Sequence, residues 1–282
     1  MTQALADLLE EIKSIEPLPQ VATRVMQIAS DKDVVPRDLV EVIQTDAGVT
    51  AKVLKLCNSA LYGFKREIAS LPEAGNLLGV STLVNLVLTS CAGRYFRNYG
   101  YTDPQATMPL WERSIATAIA GGVIARTSGK ADRNRAYTIG LLENMGHLVL
   151  SRFVPEHREA MYTALSEGVS PLDAEARVYG LHHAEIGARL AERWNFPVVL
   201  VDAIRHHHTP DASDIDPAMA SVAHLAEMVT QRVLLTDADT EMRYPQDDSA
   251  LQRLGLAKGG IEGLVEPLEA ELTKAKRVLE IA

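Results

Sequence analysis

Apolar residues along the chain recur every three or four positions, which predicts an all-α protein. Leu5, Leu8, Leu9 and Ile12 form one face of a first amphipathic helix, stopped before Pro17-Leu18-Pro19. Val21, Val25, Ile28 and Ala29 predict a second, ended by Ser30-Asp31. Pro36 suits the first turn of a third, with Leu39, Val40 and Ile43 inward. Thr45 or Asp46 can cap a fourth, whose stripe is Val49, Val53, Leu56, Cys57 and Ala60. Ser81 can cap a long fifth through Leu83, Leu86, Val87, Cys91 and Tyr95. Gly100 to Pro109 reads as a connector, so residues 1–103 are expected to form an N-terminal helical lobe and 104–282 a second one.

The second lobe opens at Leu110-Trp111 and continues through Ile115, Ile119 and Val123. After a polar loop, Ile139 to Leu150 reads as one helix, apolar around most of its circumference and ended at Pro155. Glu143-Asn144 interrupts it. Such a pair inside a core needs hydrogen-bond partners or something to coordinate. Ser170-Pro171 is a capped helix start. His183, Ile186, Gly187, Leu190 and Trp194 share a face, and further helices are expected over Val198–His207 and Met219–Leu234. Trp111 and Trp194 are expected as core anchors, and Asn58-Ser59 as a helix C-terminal turn.

Charge and composition narrow the function. The net charge of -9 over 282 residues argues against a phosphate-tracking nucleic-acid surface or an anionic-membrane surface. No uninterrupted apolar run of bilayer length is expected, and the acidic N-terminus lacks the pattern of a signal peptide. Cys57 and Cys91 lie in apolar patterns and are expected to be buried free thiols, which with the preceding features points to the cytoplasm.

All eight histidines fall after residue 146, with His182-His183 and His206-His207-His208 in tight groups. Imidazole is a common divalent-metal ligand, although spacing alone is equally compatible with surface histidines.

Longer patterns carry a family resemblance. Gly140-Leu141-Leu142-Glu143-Asn144-Met145-Gly146-His147 resembles the Gly-Leu-Leu-His-Asp-Ile-Gly-Lys helix of HD-superfamily phosphohydrolases, with Glu143 and Asn144 in place of the metal-binding His and Asp. His183-Ala184-Glu185-Ile186-Gly187 is similar to the His-x-x-x-Gly segment of the HD-GYP branch, and His207-His208 to its His-His pair. Glu227 stands at the final Asp, and Arg113 at the first His. Outside the site, Glu16-Pro17-Leu18-Pro19, the run from Ile43 to Ala60, Leu77-Leu78-Gly79 and Trp194-Asn195-Phe196-Pro197 are similar to segments of the HDOD domain, a relative of HD hydrolases with a degenerate metal site. The resemblance spans about residues 16–210.

It implies an HD-like helical bundle and a regulatory, non-catalytic role in bacterial signalling. Arg113, Glu143, Asn144, His183, His207, His208 and Glu227 would form a vestigial site. A guanidinium offers no lone pair and repels a dication, and Asn144 is a weak substitute for a bridging carboxylate. No cofactor is therefore expected. The lesser alternative is one Zn²⁺-like ion on His183, His207, His208 and Glu227, or a metal-dependent phosphohydrolase acting on a nucleotide or cyclic dinucleotide. Arg113 is expected to pair with Glu143 in the former metal site, the alternative being a solvent-facing Arg113. Expected partners are signalling proteins or an anionic ligand such as a nucleotide, with no direct nucleic-acid or membrane contact.

Overall fold

The computed structural model describes residues 3–99, 110–234, 244, 247–256 and 258–281. The predicted connector Gly100–Pro109, and with it the division at residues 103 and 104, lies outside the described residues.

The described chain is all-α, with no strand. The N-terminal helices are α1 (Gln3–Ser14), α2 (Gln20–Ile28), α3 (Pro36–Ile43), α4 (Ala47–Cys57) and the long α5 (Leu71–Tyr99). There follow α6 (Leu110–Ser128), α7 (Arg133–Leu142), α8 (Gly146–Leu150), α9 (Val154–Ser166), α10 (Pro171–Tyr179), α11 (His183–Arg193), α12 (Val198–His206), α13 (Pro217–Leu234), α14 (Asp248–Leu254) and α15 (Glu262–Ile281). The apolar stripes meet in one continuous core that runs from Leu8 to Val278.

Local chemistry sets most boundaries. Asp46, rather than Thr45, caps α4 by accepting the Val49 N–H at 3.0 Å. Ser170 caps α10, accepting the Asp173 N–H, with Pro171 in the first turn. Asn58 ends α4 and clamps the following loop: its Nδ2 donates to the Leu54 and Ile68 carbonyls, and its Oδ1 accepts the Ile68 N–H at 2.8 Å. Trp111 and Trp194 are buried in the core, as are Cys57 and Cys91.

Two expectations are corrected. Ser81 is not the cap: Gly79 breaks the helix with a φ of 76°, which only glycine adopts at little cost, so the expected helix through Leu83 to Tyr95 starts just after Gly79, and a shorter helical segment from Leu71 precedes it. Leu71–Gly93 passes for a membrane span by length and composition, with a mean hydropathy of 1.4, but Glu73 and the break at Gly79 interrupt it, as expected of a chain without an uninterrupted apolar run. Its residues Leu83, Leu86, Val87, Leu88 and Cys91 are buried among neighbouring helices, so it is a core helix in this fold. Finally, Ile139–Leu150 is not one helix. A single 3-10 turn at Glu143–Met145 separates α7 from α8, and Pro155 lies in the first turn of α9.

Two glycines determine how closely the helices around that turn approach. A Cβ on Gly140 would sit 2.4 Å from the Thr117 carbonyl oxygen of α6. One on Gly146 would sit 1.9 Å from the carbonyl oxygen of His183, the first residue of α11. Backbone cannot yield as a side-chain tip can, so α8 and α11 must separate if Gly146 carries a side chain. Gly146→Ala is expected to cost about 1–3 kcal/mol, measured by urea denaturation, and to displace His183.

Candidate functional site

Five separate segments converge behind the 3-10 turn. Arg113 comes from the first turn of α6, Glu143 and Asn144 from the 3-10 turn, and His183 from the start of α11. His207 and His208 follow the end of α12, and Glu227 lies mid-way along α13. Glu143, Asn144, His183, His207 and Glu227 have no solvent exposure. All seven residues singled out in the sequence are therefore in or beside one buried polar chamber.

Its focus is four atoms. Nε2 of His183 lies 3.2 Å from Nε2 of His207 and 2.9 Å from Nε2 of His208. Oε2 of Glu227 lies 3.4 Å from the His207 Nε2 and 3.3 Å from the His208 Nε2. On the other side of the same carboxylate, Oε1 accepts from Nη2 of Arg113.

This corrects the expected pairing. Arg113 pairs with Glu227, not with Glu143. Neither oxygen of Glu143 and neither amide atom of Asn144 has a hydrogen-bond partner. The solvent-facing alternative fails as well, since the Arg113 side chain is only 23% exposed. Electrostatics follow the geometry. Burial opposes ionisation of Glu227, but the Arg113 guanidinium and then His208 and His207 hold its carboxyl well below the usual range. Glu143 moves the other way: burial and then the nearby Glu227 charge raise it, with Arg113 opposing them.

The histidines are arranged as ligands are. Nδ1 of His207 lies 2.7 Å from the Ile204 carbonyl oxygen, which can only accept, so the hydrogen of neutral His207 is on Nδ1 and its Nε2 is a bare lone pair. Nδ1 of His183 lies 2.7 Å from Oε2 of Glu175, the oxygen that also accepts the His183 backbone N–H at 2.8 Å. Burial raises the Glu175 carboxyl, with His147 and the His183 backbone N–H opposing; when ionised it can only accept, which places that hydrogen on Nδ1 too. Such outer partners fix a metal-binding imidazole in orientation and tautomer. Burial first, and the neighbouring His207 second, hold His183 and His208 well below the usual imidazole value, so both are neutral.

The residues fit one ion and do not fit two. Four donors around a Zn²⁺-class ion at about 2.0–2.1 Å are separated by about 3.3 Å, close to the spacings here. His183, His207, His208 and Glu227 would hold such an ion, which would supply a Lewis acid and a fixed positive charge. A second ion would need a carboxylate bridging it to the first, and the residue at that position is the neutral Asn144. Arg113 meanwhile brings a permanent cation to the far side of Glu227.

Several site residues were not singled out from the sequence as members. His147 stacks on His183 with ring centroids 4.2 Å apart. Glu175, Tyr244 and His224 are also buried here. The Tyr244 hydroxyl lies 3.4 Å from Oε1 of Glu175, and His224 links the His207 carbonyl to the Asp247 N–H. A His inside an apolar helix was a usable signal for His147. Glu175 carried none, since an acid on a short amphipathic helix looks solvated.

With this geometry established, comparison with known proteins is informative. The pattern of the HDOD domain matches residues 15–210. The chain belongs to the HDOD family. A protein of unassigned function from Treponema pallidum is 31% identical to this HDOD protein over 248 residues, 87% of this chain and 47% of its own length. The chain thus spans about half of that relative. An HDOD domain protein from Geobacter sulfurreducens shares the fold, with a TM-score of 0.78 at 22% identity, covering 98% of this chain and 96% of that one. A protein from Marinobacter aquaeolei, provisionally described as acting in signal transduction, gives 0.74 at 24% identity over 98% of this chain and 64% of that one.

Two stability measurements probe the chamber. Arg113→Ala leaves a buried Glu227 without its cation and is expected to cost about 3 kcal/mol by chemical denaturation. Glu143 holds its proton more tightly folded than unfolded, so its contribution falls as pH rises from 4.5 toward its raised folded value. Glu143→Gln is therefore expected to gain stability over the parent progressively above pH 4.5, measured in chelator. The depressed histidines contribute with the opposite sign, losing stability as pH falls below 6.5, and cancel in this difference.

Proposed function

We propose that this HDOD protein is a non-catalytic regulatory module of bacterial signal transduction, acting in the cytoplasm by binding rather than by turnover. The observation that carries this reading is the Arg113–Glu227 pair beside an unpartnered Glu143 and Asn144. In-line phosphoester hydrolysis by a two-metal centre needs a bridging carboxylate and free coordination positions. Here the bridging position is an amide, and one oxygen of the remaining acidic ligand is committed to a guanidinium. The signalling description of the Marinobacter aquaeolei relative agrees with a regulatory role. The partners proposed are signalling proteins, with an anionic ligand such as a nucleotide as a further candidate, because a guanidinium suits phosphate and carboxylate. Direct nucleic-acid or membrane binding is not proposed, given the net charge of -9.

A second reading, a metal-dependent phosphohydrolase acting on a nucleotide or cyclic dinucleotide, is favoured by the convergence of three imidazoles on Glu227. One assay separates the two. The purified chain is incubated with Mn²⁺, Mg²⁺ or Zn²⁺ and either bis-p-nitrophenyl phosphate or cyclic dinucleotides. The expected result is no product above the protein-free control. Sustained turnover that His183→Ala abolishes would establish the hydrolase instead.

A further inference from the structure

Away from the chamber, a cavity of about 280 Å³ opens between the loop after α4 and helices α5, α6, α7 and α15. Small-ligand pockets begin at roughly 300 Å³, so this one suits a compact molecule. Leu61, Leu78, Ile119 and Val123 form its apolar wall, and Tyr62 and Tyr137 add two rings. Four side chains lining it keep donors that nothing among the described residues accepts. Thr82 is the clearest. Thr117, Thr127, Thr163 and Thr273 each donate to the carbonyl four residues earlier. The break at Gly79 lies where Thr82 would find such an acceptor, and its hydroxyl has no partner. Asn134 accepts from the Asn85 Nδ2 through its Oδ1 at 3.3 Å, and its own Nδ2 is free. The Tyr62 hydroxyl is also unpartnered; burial first, and then Tyr137, push its pKa up, so it stays protonated and can donate. Arg133 stands at the mouth, exposed and without an ion pair, its stem laid beside Gly122 of α6. The acid on the wall, Glu271, is already matched by Arg126 at 3.3 Å and Lys274 at 3.2 Å.

We propose that this cavity binds a small monocarboxylate with a flat apolar body, the head held by Arg133, Thr82 and Asn134 and the body against the two tyrosines and the aliphatic wall. Free donors at the edge of an apolar pocket call for an acceptor-rich ligand, because displacing their water without replacing its hydrogen bonds loses affinity. A guanidinium with a hydroxyl and an amide N–H beside it matches the two oxygens of a carboxylate. Charge selects the carboxylate over a phosphate. A phosphate monoester, close to dianionic at neutral pH, would face a single unpaired guanidinium with the Glu271 carboxylate nearby. The site shares no residue with the histidine chamber and does not depend on the non-catalytic reading above.

The test is calorimetric titration of the full chain with phenylacetate and indole-3-acetate, beside phenylacetamide as the neutral counterpart and phenyl phosphate as the dianionic one. The carboxylates are expected to bind saturably, one per chain, and to raise Tm. The amide and the phosphate should bind at least about 10-fold more weakly. Arg133→Gln and Thr82→Val should each weaken phenylacetate binding about 10-fold. Arg135→Gln removes the same charge from an exposed position of α7 outside the cavity and should leave binding unchanged. If Thr82→Val fails to fold, the two arginine variants still decide the question. No saturable binding of either carboxylate at millimolar concentration overturns the proposal. So does equal binding of the amide, tighter binding of the phosphate, or an equal loss on Arg135→Gln and Arg133→Gln. Phosphodiesterase turnover by the same samples would remove the non-catalytic reading and leave this site standing.

Discussion

A carboxylate without solvent needs a cation, and Glu227 is the one on which this chamber is built. It lies mid-way along α13, fully buried, where an uncompensated charge would cost several kcal/mol. Arg113 meets it from α6, and two histidines after α12 meet it from the other side. The demand for compensation therefore links α13 to α12, its neighbour in the chain, and to α6, whose Arg113 lies 114 positions before Glu227. The guanidinium's long stem lets its charged head reach the acid from the first turn of α6 while the helix beyond it, through Ile115 and Ala118, stays in the core.

Glu143 and Asn144 occupy an unusual place in that scheme. They sit on a 3-10 turn that divides what would otherwise be one apolar helix, and their side-chain polar atoms are buried without hydrogen-bond partners. Tight 3-10 segments between helices often mark functional or strained positions. Here the turn is hemmed in by two contacts that only glycine permits, Gly140 on α6 and Gly146 on the carbonyl of His183. The close approach at Gly146 also sets the start of α11, and with it His183, against the turn. The polar chamber and the close helix packing are thus one feature of the fold.

Outer contacts complete the arrangement. Glu175 holds both the backbone N–H and Nδ1 of His183, the Ile204 carbonyl faces Nδ1 of His207, and His224 ties the carbonyl of His207 to the segment at Asp247. His183 meets Glu175 and His224 meets His207 only in the folded chain, whereas the Ile204 carbonyl lies three residues from His207 in the same helical turn. This is the sense in which Arg113 and the histidines act together: the fixed cation satisfies one oxygen of Glu227, and the imidazoles surround the other.

The amino-acid pattern by itself determined the helical class, because apolar residues repeating every three to four positions bury a face only as helices. It also determined the cap at Ser170 and narrowed that of α4 to Thr45 or Asp46, since caps depend on atoms about three residues away. The motif residues His183, His207, His208, Glu227, Glu143, Asn144 and Arg113 were legible as candidates by their resemblance to HDOD segments. Pairing was not legible. Whether Arg113 met Glu143 or Glu227 depended on how α6 and α13 cross, and Glu175 is joined to His183 only because α10 turns back over the start of α11. Local spacing encodes helices, since their hydrogen bonds span four residues. Partners separated by 114 positions, as Arg113 and Glu227 are, become neighbours only when the whole core has packed.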